Sequence, residues 1–81
     1  MLTAPNAKVL LTHNPDLIPF ILGCQNHFEI TIDGESIAPQ RMTTPPQARQ
    51  FKTLAAAYSY LRTFLDYRGD VLLRFNDEKV W

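Results

Sequence analysis

The chain has 81 residues, 46% apolar and 20% charged, with eight basic side chains balanced by eight acidic ones. That length allows one domain, and that composition excludes global disorder, because there is enough apolar surface to offset chain entropy. A single cysteine excludes the intrachain disulfide that staples most small secreted domains, so a reducing, cytoplasmic home is expected.

No apolar run approaches the ~20 residues that a membrane span needs, so no membrane partner is expected. Ile21-Leu22-Gly23-Cys24 has the look of a lipoprotein cleavage box. His13, Asn14, Pro15 and Asp16 interrupt the apolar stretch that such a box must follow, which argues against lipidation. Charge is unevenly placed: residues 1–35 carry −3, residues 36–65 carry +4 and residues 66–81 carry −1.

In chain order, Lys8 to Thr12 reads as a short strand, an apolar run of Val9, Leu10 and Leu11 with a polar residue on each side. Asn14-Pro15 then offers a helix start, with Asn14 as cap and Pro15 in the first turn. Leu17, Ile18, Ile21 and Leu22 follow at helical spacing and Gly23 can end the segment, although Pro19 interrupts it. These signals predict a short, irregular helical segment over residues 15–22. His27 to Ile32 alternates polar and apolar residues and is the clearest strand. Asp33-Gly34 predicts a two-residue hairpin turn, and the return strand runs from Glu35 to about Ala38, where Pro39 limits it.

Residues 39–47 carry three prolines and read as a loop, with an extended piece near Arg41 and Met42. The main helix has two plausible starts. Thr53 is a good N-cap, and residues 54–66 contain no Gly or Pro. Thr44-Pro45-Pro46-Gln47 has capping-box spacing and would start the helix earlier. The later start, which is favoured, leaves residues 49–52 extended with Phe51 pointing inward. The helix should end near Tyr67, before Gly69. Val71 to Phe75 predicts a final strand, after which Lys79, Val80 and Trp81 could pair back. The expected fold is α+β: a small, mostly antiparallel sheet of three or four strands packed against one main helix in the C-terminal half, plus a short N-terminal helical segment.

On the main helix, Leu54, Tyr58, Leu61 and Leu65 form the stripe expected to pack on the sheet. A second stripe of Ala57, Tyr60, Phe64 and Tyr67 lies beside it. Leu17, Phe20 and Ile21 could cover that stripe. Left uncovered, Tyr60, Phe64 and Tyr67 would form a protein-binding patch, since aromatic residues dominate interface energetics. A chain with so small a core also gains by pairing with itself, so a homodimer is expected.

Chemistry-bearing residues are few. Cys24 and His27 have C-x2-H spacing, and Asp16 or Glu29 would have to complete a metal site that normally takes four ligands. The expectation is instead a buried thiol and two surface histidines, with no metal and no cofactor. A Cys–His dyad lacks a recognisable local frame. There is no Gly-rich phosphate loop, and the chain is short for a substrate cleft of ~300 Å3, so no enzyme is expected. Arg68-Gly69-Asp70 serves a turn. Arg41, Arg49, Lys52 and Arg62 cluster in sequence and would form the contacts of a nucleic-acid-binding module. An isoelectric point of about 6.7 weakens that reading, and a protein-binding, self-associating protein is the leading expectation.

Overall fold

The computed structural model describes residues 1–39, 41 and 47–75. The order of elements is α1 (Ala4–His13), β1 (Phe20–Gly23), β2 (Phe28–Ile32), β3 (Glu35–Ser36), α2 (Leu54–Thr63) and β4 (Leu72–Phe75). The strands form one mixed sheet in the order β3-β2-β1-β4. β1 and β2 pair antiparallel, as do β2 and β3, while β1 and β4 run parallel. This is the expected α+β class, with a helix packed on a sheet. The proposed start near Thr44–Pro46 and the pairing of residues 79–81 lie outside the described residues.

The N-terminal quarter differs from its sequence reading. Residues 8–12 belong to a helix rather than a strand. Thr3 is the N-cap, its Oγ1 accepting from the Asn6 N–H at 3.3 Å, and Pro5 sits in the first turn, where its missing donor costs nothing. Ala7 and Leu11, four apart, are both buried, while Val9 is exposed. The apolar run is thus read with a period near 3.6 rather than 2. Asn14 closes α1 instead of opening a second helix: its side-chain amide donates to the Leu10 carbonyl at 2.9 Å.

The helix expected over residues 15–22 does not form. Residues 20–23 are extended, with Ile21 and Gly23 buried and Phe20 and Leu22 half-buried. Pro15 and Pro19, four residues apart, each remove a backbone donor from that segment, and pairing on both sides of β1 satisfies the backbone of residues 20–23 instead.

The hairpin from β2 to β3 follows the sequence signal. Asp33 and Gly34 both take positive φ, 53° and 80°, as a primed two-residue turn requires. β3 is shorter than expected, although the Ile37 N–H still donates to the Ile30 carbonyl of β2 at 3.2 Å. Ile37 makes a parallel bridge with Leu2, and Leu2 exchanges backbone hydrogen bonds with Ser36 and Ala38 at 2.8 and 2.7 Å. The N-terminal residues therefore lie along the outer edge of β3.

The strand residues buried in the core, Ile21, Ile30 and Ile32, share one face of the sheet. Ala7 and Leu11 of α1 and Ala57, Tyr60 and Leu61 of α2 join them in one buried cluster. Phe51 joins too, held by an antiparallel bridge to Phe28 with hydrogen bonds of 2.7 and 2.8 Å, and it points inward as expected, while Lys52 already lies in a bend.

Helix α2 starts at its later site, where Thr53 Oγ1 accepts from the Ala56 N–H at 3.0 Å. It stops four residues before Tyr67. Asp66 takes a left-handed φ of 51°, and the Tyr67 N–H reaches back to the Leu61 carbonyl. Of the expected stripe Leu61 and Leu65 are buried, together with Ala57 and Tyr60 of the second stripe, whereas Leu54 and Tyr58 are 39% and 44% exposed. Substituting the fully buried Leu61 with Ala should cost about 2–5 kcal/mol in urea unfolding. Leu54→Ala should cost less than about 1 kcal/mol, and equal costs would restore the stripe expected from the sequence.

Candidate functional site

The three aromatic residues singled out on α2 have different fates. Tyr60 is only 7% exposed and packs against Phe51, with ring centroids 5.2 Å apart. Phe64 is 65% exposed and stacks on Tyr60 at 5.1 Å. Tyr67 is half-buried and its hydroxyl donates to the Asp70 carbonyl at 2.6 Å, bracing the turn into β4. Of these three, Phe64 alone presents most of its ring to solvent.

The four cations also separate. Arg49 is half-buried, with its guanidinium 5.4 Å from the Phe51 ring centroid and 5.0 Å from that of Tyr60. Its Nε is buried and has no hydrogen-bond partner among the described residues, and the guanidinium packs on rings. Arg62 donates to the Tyr67 carbonyl at 2.9 Å and to the Tyr58 hydroxyl at 2.6 Å. It therefore ties Tyr58 of α2 to the segment that follows the helix. Arg41 and Lys52 are exposed.

A different cluster forms where β1 passes into β2. Gly23 pairs with Phe28, and the Cys24 N–H donates to the His27 carbonyl at 2.8 Å, leaving Gln25 and Asn26 as the turn. Cys24 and His27 therefore stand directly opposite each other. Alternation puts Glu29 on the same face as His27, and its Oε2 lies 2.7 Å from His27 Nε2. All three side chains are half-buried, and one ligand atom from each falls within 4.8 Å of the others. Burial, and then the Glu29 carboxylate, push the Cys24 thiol above its ordinary pKa. The expected buried thiol is thus half-buried, and His27 is no free surface side chain. His13 is exposed at the end of α1. The C-x2-H spacing was visible in the sequence, but its meaning depended on residues 20–23 being a strand.

The two sheet edges contrast. The N-terminal residues cover β3, whereas no described strand pairs with the outer edge of β4. All four β4 residues are exposed, and three of them, Leu72, Leu73 and Phe75, are large and apolar. The fourth, Arg74, lies over the Phe20 ring at 5.3 Å from its centroid. An open groove lined by Asp16, Ile18, Phe20, Asp33 and Leu72 adjoins this edge and includes neither Cys24 nor His27. No helix among the described residues is long and apolar enough to cross a membrane.

Burial raises the Tyr60 phenol above its ordinary pKa, and nearby Arg49 only partly opposes this. Folded Tyr60 therefore keeps its proton to higher pH than the unfolded chain, whose value is about 10. The stability contributed by the neutral phenol is whole below about pH 10 and is lost as pH rises through the folded value. Melting temperatures should fall more steeply above about pH 10, and Tyr60→Phe should make that fall shallower.

Comparisons of the chain with protein-family models, with curated proteins and with solved structures find no match.

Proposed function

We propose that this is a non-catalytic, cytoplasmic protein that acts by binding other protein, and that it pairs with a second copy of itself along β4. The observation that carries the reading is the exposed apolar strand at a sheet edge with which no strand among the described residues pairs. Such an edge is a template for another strand, and soluble proteins usually blunt it with charge, proline or a covering segment. Here the β3 edge has its cover and β4 has one charge, Arg74, already drawn over Phe20.

A two-fold axis beside β4 would set two copies of the strand antiparallel and join the sheets into one of eight strands. The Leu72 N–H is used within the chain, donating to the Pro19 carbonyl at 3.0 Å. Backbone groups alternate along a strand, so those of Leu73 face outward and are the ones a second strand would meet. Leu72, Leu73 and Phe75 supply the apolar surface that pairing would bury.

Nucleic-acid binding is the weaker reading. Arg49 and Arg62 are engaged within the fold, which leaves Arg41 and Lys52 of the four cations. Two phosphate contacts give a salt slope of only about −2.

Light scattering behind size exclusion, at micromolar protein, should give a dimer. Leu73→Pro removes the outward N–H and spares the Leu72 bond to β1, a place where an edge strand tolerates proline. That variant should run as a monomer with unchanged circular dichroism, and Phe64→Ser should remain a dimer. A natural chain that is monomeric throughout, or a dimer that survives Leu73→Pro, overturns the reading. Loss of the dimer in Phe64→Ser alone would move the interface to α2.

A further inference from the structure

We infer that Cys24, His27 and Glu29 form a binding site for one divalent transition-metal ion of the zinc type, with a fourth coordination position open to water. Three observations carry this. The side chains belong to the paired ends of β1 and β2 rather than to a loose loop, and one ligand atom from each lies within 4.8 Å of the others. They are half-buried, so that the cluster is sheltered yet reachable from solvent. The backbone beneath them is held on both sides, because Phe28 pairs with Gly23 and is bridged to Phe51.

The donor set chooses the ion. Thiolate and imidazole favour zinc and its transition-metal neighbours, whereas calcium and magnesium prefer sites made of oxygen alone. Tetrahedral zinc with bonds of about 2.0 to 2.3 Å sets its ligand atoms roughly 3.3 to 3.8 Å apart. The present spread of up to 4.8 Å would have to close by about an ångström to match that geometry. Glu29 Oε2 and His27 Nε2, now 2.7 Å apart and sharing a hydrogen bond, would open by about half an ångström as the metal replaces the shared proton. Three protein ligands and one open position describe a site able to hold a water or a donor from another molecule. This assignment rests on β1 and β2 alone and is independent of pairing along β4.

Cobalt(II) titration under a non-thiol reductant reads the site directly. One equivalent per chain should produce the thiolate-to-cobalt charge-transfer band and the intense visible bands of a tetrahedral ion, and one equivalent of zinc should displace both. Cys24→Ser should abolish the charge-transfer band and weaken zinc binding at least about tenfold, an effect equal to that of losing a supporting residue in other zinc sites. Glu29→Gln should also weaken binding, while His13→Gln should bind as the natural chain does. Zinc should raise the melting temperature of the natural chain, and a chelator should reverse the rise. A pale octahedral spectrum without the thiolate band overturns the assignment. So does undiminished zinc affinity in a folded Cys24→Ser chain, or half an equivalent per chain, which would mean an ion shared by two copies.

Discussion

The register between β1 and β2 is the constraint on which the rest of this structure depends. Ile21 opposite Ile30 sends Ile21, Ile30 and Ile32 to one face, where α2 and the buried residues of α1 meet them. The same register sends Leu22, Cys24, His27 and Glu29 to the other face. A slip of one residue would turn the isoleucines toward water and draw the charged and ligating side chains into the core. Burying the isoleucines thus fixes the orientation of Cys24, His27 and Glu29.

β1 also carries strands on both sides, antiparallel β2 and parallel β4. Gly23 shows how tight this is. A Cβ there would overlap the Phe75 ring on one side and approach Phe28 on the other. The absent side chain lets Phe75 lie over the sheet beside the turn that presents Cys24 and His27. Glycine is required here by close approach, whereas at Gly34 it is required by positive φ.

Much of this fold was legible where local signals agreed with the tertiary answer. The alternation of Phe28 to Ile32, the Asp33-Gly34 turn, the Thr53 cap and the strand before Phe75 each have a local physical cause. The N-terminal part was not legible in the same way. Val9-Leu10-Leu11 is too short for its period to separate strand from helix. The deciding residues were Thr3 and Pro5 in the first turn, together with Ala7 as the partner of Leu11. Helical spacing at Leu17, Ile18, Ile21 and Leu22 competed with a period of two at Ile21 and Gly23, and pairing with β2 and β4 settled the contest. The Cys24-x2-His27 spacing with Glu29 was visible in the sequence, but the two residues face each other only if residues 20–23 are extended. On α2 the two candidate stripes share the burial, Leu61 and Leu65 from one and Ala57 and Tyr60 from the other, and periodicity alone does not choose between adjacent stripes.

The two edges of the sheet show where the chain has used its limited material. A domain of this size buries a smaller share of its surface than a larger one does, and its margin of stability is correspondingly small. Met1 and Leu2 are placed along β3, with the terminal ammonium 3.8 Å from Glu35. That satisfies backbone groups at one edge for the ordering of two residues. At the other edge Leu72, Leu73 and Phe75 remain exposed around a single cation, and Arg74 is held over Phe20 instead of standing out as a guard. Leu22 pairs with both Glu29 and Arg74, so the face opposite the core runs from acid through apolar to base across β2, β1 and β4. The acid end belongs to the ligand cluster and the basic end to the open edge. Both ends are placed by the register of β1, which pairs with β2 on one side and with β4 on the other.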